Sequence, residues 1–358
     1  MIPVAKPSIS RAERRAVGKV MKSGMLAQGE EVLNFESEFS SMVGGRPCVA
    51  VNSGTSGLHI ALMAAGVGRG DEVIVPSFSF AATANAVALT GATPIFVDID
   101  LNTFNILPEA IEAAITENTK AIQPVHLYGL PAEMPRIMEI AEKNNLVVLE
   151  DSAQAHLAGI NKINVGEFGY AATFSFYPTK NMTSGEGGMI VCQDEVIARH
   201  CRLLRNQGME QRYKNEIVGF NSRMSNIHAA IGRVQLKKLE KWTLKRRENA
   251  QFLSENLEGV IVPTVPRGYR HVFHQFTIRV QGVERDRFVQ ELGKRGVGSG
   301  VYYPTPIHAL PAYQLDLELP NTRIAADQVV SLPVHPLLKR RDLEKIVEVV
   351  NAVSRAGS

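Results

Sequence analysis

The sequence predicts an α/β protein: a large three-layer α/β/α domain on a mostly parallel sheet, followed by a smaller α+β domain. Three observations carry that expectation. From residue 47 onward, short continuous apolar runs alternate with helical patterns, which is how parallel strands covered on both faces read. Beyond PTVPRGY the composition shifts. The length of 358 residues also exceeds the size at which one core stops growing. We therefore expect residues 1–249 to form the large domain and residues 250–358 the small one, with the N-terminal helix a candidate to pack with the latter.

The elements follow in order. Ser10 with Glu13 three residues on is a capping-box pattern, and it opens a basic helix that Gly24 closes. SGMLAQGEE reads as an irregular loop before a second helix near residues 31–43. CVAVNSG is a strand, TSGLHIALMAAG a helix with apolar positions at helical spacing, DEVIVP a strand and FAATANAVALTG a small-residue helix. PIFVDID, KAIQPV and LVVLED are strands separated by the helices PEAIEAAIT and EMPRIMEIAEKNN. TFSFY and GMIVC add two strands, and a helix follows from about Glu195 to Gln207. Residues 225–256 carry a long charged helical pattern suited to linking two domains. QFTIRV, a helix from about Arg285 to Arg295, GVGSGVYYP and two late helices make up the rest.

Composition narrows the function. The net charge of +3 is small beside 39 basic and 36 acidic residues, so it implies neither a nucleic-acid nor a membrane partner. No run approaches the roughly 18 apolar residues of a membrane span, and the N-terminus lacks the apolar segment of a signal peptide. Cys48, Cys192 and Cys201 form no CxxC pair, which argues against a disulfide framework and for a reducing, cytoplasmic setting.

Ligands of open α/β sheets sit beyond the carboxyl ends of the strands, so the strand ends are read for chemistry. The first ends in Asn52-Ser53-Gly54-Thr55-Ser56-Gly57 and runs into a helix, a turn whose free N–H groups suit a phosphate. It matches neither GxGxxG nor GxxxxGK[ST], and turn chemistry alone is the competing reading. Phe80, after the second strand, is either a flat face for an aromatic ring or a core phenylalanine. Asp151 ends LVVLE, where a carboxylate is costly without a partner; a protonated pyridine nitrogen is one, and capping the next turn is the alternative. Gln154 lies three residues on, within reach of a phenolic oxygen of the same ring. The run FSFYPTKNMTSGEGG then places Ser175 at a strand end and Lys180 in a turn closed by Gly185, Gly187 and Gly188. A solvated surface lysine is the plain reading. In apolar surroundings its amine would lose solvation and its pKa would fall, as a Schiff-base lysine requires. Phosphate cradle, ring face, pyridinium partner, phenol partner and amine together match pyridoxal phosphate, whose ring acts as an electron sink.

These residues lie in blocks that carry a family resemblance over almost the whole chain. NSGTSGLHIAL, GDEVIVPSFSFAATANAV, PIFVDID, PVHLYGLPAEM, EDSAQAH, FSFYPTKNMTSGEGG, FNSRMSNIHAAIGRVQLKKL and VYYPTPIH, in this order, are similar to the DegT/StrS nucleotide-sugar aminotransferases. The resemblance implies the aspartate-aminotransferase fold (fold type I, with a mixed, mostly parallel sheet) and pyridoxal 5'-phosphate cycling through pyridoxamine 5'-phosphate. It also implies transfer of an amino group, most simply from L-glutamate, to a nucleotide-linked keto-sugar for amino-sugar and polysaccharide biosynthesis. By motif, Lys180 would form the internal aldimine and shuttle the proton, and Asp151 would keep the pyridine nitrogen protonated. Gln154 would contact the phenolic oxygen, Phe80 would stack on the ring, and Thr55, Ser56 and Ser175 would hold the phosphate. Asn221 occupies the position of an asparagine that reaches the phosphate from the neighbouring subunit, implying a homodimer with shared sites. Arg223, Tyr303 and His308 are candidates for the sugar or diphosphate pocket, with ordinary hydrogen bonding an equal reading of His308.

Ser222 departs from the family's frequent tyrosine in NYRM, so packing there is expected to differ. Related dehydratases carry histidine at the Lys180 position, which favours transamination here, and the TSGEGG turn resembles members that aminate C4 rather than C3. A cysteine desulfurase or lyase of the same fold would need a cysteine in a mobile loop, whereas all three cysteines fall at strand ends or on a helix. A non-catalytic regulatory or nucleic-acid-binding protein is the other rival. Its basis is KKLEKWTLKRRENA around Trp242, but Glu240 and Glu248 interrupt the basic run.

Overall fold

The structure, a computed structural model that describes residues 1–357, is built around a seven-stranded sheet. From edge to edge its strands are Cys48–Val51, Gly188–Cys192, Ala171–Ser175, Val147–Asp151, Thr119–Ile122, Glu72–Pro76 and Thr93–Val97. Gly188–Cys192 runs antiparallel to both of its neighbours, and every other adjoining pair is parallel. The sheet is thus mixed and mostly parallel.

Alternation within each strand explains the three layers. Val49, Val51, Ile190 and Cys192 face one side, where they pack with Leu58, Ile60, Leu62, Ile197 and Leu204 of the covering helices. Cys48, Ala50, Met189 and Val191 face the other, against Phe35, Phe39 and Leu239. Further along the same sheet, Ile74, Ile122 and Val148 pack on Ile137 and Ile140. Both faces are dry, so the strands carry no polar alternation.

The helix Asn226–Asn256, 31 residues long, spans from this layer to a second core. Near its start, Gln235 and Lys238 bond Glu13 of the first helix, Arg11–Ser23. That helix has the expected capping box, with Ser10 and Glu13 bonded reciprocally, and ends at Gly24 with φ of 72°. Near its end, Ala250 and Leu253 join Phe276, Ile278, Phe288, Leu292, Val330, Leu332, Ile346 and Val350. There the strand Phe276–Arg279 pairs antiparallel with Val329–Leu332 and is covered by Arg285–Lys294 and Arg340–Gly357. The N-terminal helix lies on the long helix, and it is residue Ile2, ahead of it, that exchanges backbone hydrogen bonds with Gly296 and Gly298 of the second core.

Three features differ from the sequence-based expectation. The second helix is Glu30–Ser40, and GVGSGVYYP forms only isolated bridges, at Val297 and Gly300, before its prolines. Tyr269–Arg270 also adds to a tight hairpin of Gly159–Ile160 and Ile163–Asn164. Two-residue strands are too short to show a period, so no pattern announces them. Among the described residues, no helix is long and apolar enough to cross a membrane.

Candidate active site

The carboxyl ends of the central strands open into a cavity of about 510 Å³ lined by Ser53, Gly54, Thr55, Phe80, Asp151, Gln154, Ser175, Lys180 and Tyr303, among others. Seven of the sequence-predicted residues are therefore brought together: Thr55, Phe80, Asp151, Gln154, Ser175, Lys180 and Tyr303.

Backbone turns place Lys180. Its N–H donates to Tyr177 O (2.9 Å), and the loop closes because Phe176 N–H donates to Gly187 O (2.9 Å) while Ser184 N–H donates to Phe176 O (3.0 Å). The returning strand passes close to the first: a Cβ on Gly188 would lie 2.6 Å from Ser53 O, and one on Gly54 would lie 2.9 Å from the Ser175 Cβ. This contact presses the N-terminus of the helix Gly54–Ala64 against the end of the Ser175 strand. Ser53 caps that helix by accepting from Ser56 N–H (3.1 Å), and the two hydroxyls bond at 2.9 Å. The Ser56 side chain is thereby tied to the cap and does not line the cavity.

Asp151 is 5% exposed. Its Oδ2 accepts the Thr83 hydroxyl at 2.8 Å, and its Oδ1 accepts Ala153 N–H at 3.2 Å. Burial raises its pKa, against the opposing pull of these donors and of Lys180. For Lys180 the same burial lowers the pKa to about 8, and the Asp151 charge pulls it back upward. The cavity thus presents an amine made partly nucleophilic at neutral pH and a carboxylate that any bound cation would stabilise. Gln154 is fixed at both ends, its Oε1 accepting Tyr128 N–H (2.8 Å) and its Nε2 donating to the Tyr303 hydroxyl (3.1 Å). Phe80 is 58% exposed with its ring 6.0 Å from that of Tyr303; it offers a face to the cavity, and the core phenylalanine of this stretch is Phe78.

The remaining predicted residues lie elsewhere. Arg223 donates to Asn221 Oδ1 (3.1 Å) and Asn206 Oδ1 (3.2 Å) on an exposed edge outside the cavity. Ser222 between them is buried, and its backbone joins Asn52 N–H to Arg205 O, so a small side chain sits where the chain crosses the first strand. His308 lines a separate groove with Asp316 and Arg323. Its Nδ1 lies 2.6 Å from the Ser77 Oγ, fastening the turn at residues 307–309 to the end of a sheet strand. Sequence reading missed Thr83, Tyr128 and His274. Thr83 was visible only as a polar residue in a run of alanines, and Tyr128 and His274 arrive through loops with no periodic signal. Cys48, Cys192 and Cys201 are free and buried, and burial raises the Cys48 thiol's pKa, as in an inert thiol.

A half-buried, desolvated lysine and a buried aspartate at the strand ends of a mixed α/β sheet define a lysine-dependent α/β enzyme. The chain belongs to the DegT/DnrJ/EryC1/StrS aminotransferase family, whose model matches residues 7–351. It is 42% identical to a UDP-N-acetyl-3-dehydro-alpha-D-glucosamine 3-aminotransferase of Acidithiobacillus ferrooxidans, over 93% of this chain and 91% of that one. It is also 42% identical to a pleiotropic regulatory protein of Geobacillus stearothermophilus, over 96% and 94%. Among solved structures, NtdA of Bacillus subtilis with bound cofactor PMP superposes with a TM-score of 0.90 at 34% identity, covering 96% of this chain and 82% of that one.

Proposed function

We propose that this aminotransferase moves an amino group from L-glutamate to the keto group of a nucleotide-linked sugar, using pyridoxal phosphate, as a cytoplasmic homodimer. The observation that carries the reading is the pairing of Lys180 and Asp151 in one cavity with a capped helix N-terminus at its rim. The residues fit the cofactor. Asp151 is a buried carboxylate that a cationic ring would stabilise, and the Ser53–Thr55 turn lines the cavity at a helix N-terminus, where a phosphate is favoured. When bound, the cofactor supplies an electron sink and carries the amino group between the two half-reactions.

The chain's own residues do the rest. Asp151, its Oδ2 held by Thr83, would balance positive charge on the cofactor ring. The bonded pair Gln154 and Tyr303 would meet the polar edge of the cofactor ring, Phe80 would cover it, and Thr55 and Ser175 would hold its phosphate. Lys180, whose amine lines the cavity, would carry the proton between the two reacting carbons. Asn221, Ser56, Arg223 and His308 do not line the cavity within one chain, so we assign Asn221, with Arg223 beside it, to the site of a second subunit. Free, buried cysteines support the reducing compartment. The separate core around Phe276 and Phe288 supports dividing the chain near residue 250.

The test is the absorption spectrum of the purified protein with pyridoxal phosphate, before and after L-glutamate. A visible band that gives way to near-ultraviolet absorption is expected, and neither change should occur in Lys180→Ala. A panel of 3-keto and 4-keto nucleotide sugars then decides the acceptor, since the TSGEGG turn favours C4 while the Acidithiobacillus relative is named for C3. A band indifferent to glutamate would remove the donor assignment.

A further inference from the structure

His274 is an unusual lining residue. It is 5% exposed and faces the same cavity as Lys180. Its Nδ1 is buried with no hydrogen-bond partner, and no hydrogen bond restrains the ring among the described residues. The backbone around it is tied at every step. Val272 N–H donates to Gly129 O (3.0 Å), and Gln275 N–H donates to Tyr128 O (3.2 Å). Asn181 donates to Val272 O (3.2 Å), while Arg246 on the long helix donates to Phe273 O (3.2 Å) and His274 O (3.4 Å). The ring is therefore held in place by its main chain while its nitrogens stay free. By contrast His126, buried nearby, has both nitrogens engaged, with Glu150 and with the Ala132 N–H. Buried polar atoms are normally paired, and an imidazole without a partner in the wall of a cavity points to one supplied there.

The charges around it say which partner. Burial holds His274 well below its ordinary pKa, and Lys180, Arg246, His156 and His271 further oppose its charge, while Asp151 and Glu186 are the acidic groups lining the same cavity. Arg246, buried and without a carboxylate partner among the described residues, bonds the His274 carbonyl and adds a fixed positive potential beside it. A second proton on this imidazole is thus opposed from both sides, which leaves one ring nitrogen as an acceptor. The amine that lines the same cavity is that of Lys180.

We propose that His274 is a positioning residue for the Lys180 amine, accepting a hydrogen bond from it whenever it is free of the cofactor and so aiming it for proton transfer. The inference rests on the function proposed above, and the experiment separates the two. Two variants are made in the full chain: His274→Phe, which keeps the ring's bulk without nitrogens, and His274→Gln, which keeps an acceptor. The first reading is the pH dependence of Lys180 labelling by an amine-directed reagent before cofactor is added, followed at that residue by mass spectrometry. An acceptor favours the ammonium, so the labelling midpoint of His274→Phe should fall by about one pH unit while His274→Gln stays near wild type. The second reading is the single-turnover rate with L-glutamate in the holoenzyme. It should fall about tenfold or more in His274→Phe, largely recover in His274→Gln, and leave cofactor affinity within about twofold.

Equal midpoints and rates in all three proteins would overturn the inference, as would His274→Gln proving no better than His274→Phe. Absence of any visible band in the wild-type protein would instead strike the proposed function itself. A normal band that glutamate bleaches equally fast in His274→Phe would strike only the role of His274.

Discussion

Asp151 and Lys180 are driven in opposite directions by one cause. Burial disfavours the charged form of each, raising the carboxyl and lowering the amine, and their mutual attraction only partly offsets it. The Thr83 hydroxyl is the strongest single support of the Asp151 charge. Thr83→Val, which keeps the shape and removes that donor, should weaken pyridoxal phosphate binding about tenfold, from a lost hydrogen bond to a charged group of about 1.5 kcal/mol. Titration of the visible band reads this directly, and unchanged affinity would mean that Asp151 does not need Thr83 to stay charged. At this scale the sequence was informative where a residue ended a strand. Asp151, Ser175 and Lys180 follow apolar runs, and a polar group there is conspicuous. Thr83 was hidden because its partner lies 68 residues away in the chain, and His274 because the lysine whose cavity it shares lies 94 residues away, a proximity no local pattern encodes.

Helix ends and strand crossings hold these residues in place. The first helix is anchored by one carboxylate, Glu13, which closes the capping box on Ser10 and receives Lys238 and Gln235 from the long helix. Burial opposes the charge of Glu13, but the bonds from Lys238 and Ser10 prevail and bring its pKa down to about 2. A depressed carboxyl stabilises the fold fully above its unfolded pKa near 4.5 and loses that contribution as pH falls toward 2. Glu13→Gln should therefore cost about 1 kcal/mol near neutral pH, with the gap to wild type closing below about pH 4. Denaturant melts at a series of pH values check this; a gap independent of pH would assign the loss to the cap geometry alone. The capping box was legible because it is written in four consecutive residues. The antiparallel direction of Gly188–Cys192 was not. Direction is set by the loop through Lys180 and by the close approach of Gly188 to Ser53, where an added Cβ would lie 2.6 Å from the Ser53 carbonyl, and these are properties of the assembled sheet.

Across the whole molecule, the cavity is bounded by both cores. Asp151 and Lys180 come from the sheet, His274 and Tyr303 from beyond residue 250, and the long helix ties the two through Arg246 and Asn249. Asn221 and Arg223 stand on an exposed edge, bonded to each other and, through Arg223, to Asn206. If that edge completes a neighbour's site, Lys180→Ala and Asn221→Ala chains, each weak alone, should regain activity when mixed and allowed to exchange subunits. One of the two sites in the mixed dimer then has both residues intact, so activity well above the sum of the separate variants is expected. No gain on mixing, with exchange verified by mass, would place Asn221 outside the neighbour's site.

The sequence by itself determined the layered α/β plan, the strand ends that carry chemistry, and the blocks that mark an aminotransferase. Hydrophobic runs, turn residues and motif spacing are all local, and local order survives in a one-dimensional string. Only the tertiary structure decided which residues share a cavity. It released Ser56 to a cap and His308 to a clasp on Ser77, and it set Thr83 on Asp151 and His274 beside Lys180. Those outcomes depend on how distant segments meet and how much water they exclude. Burial, not residue type, turns an ordinary lysine into an amine that titrates near pH 8.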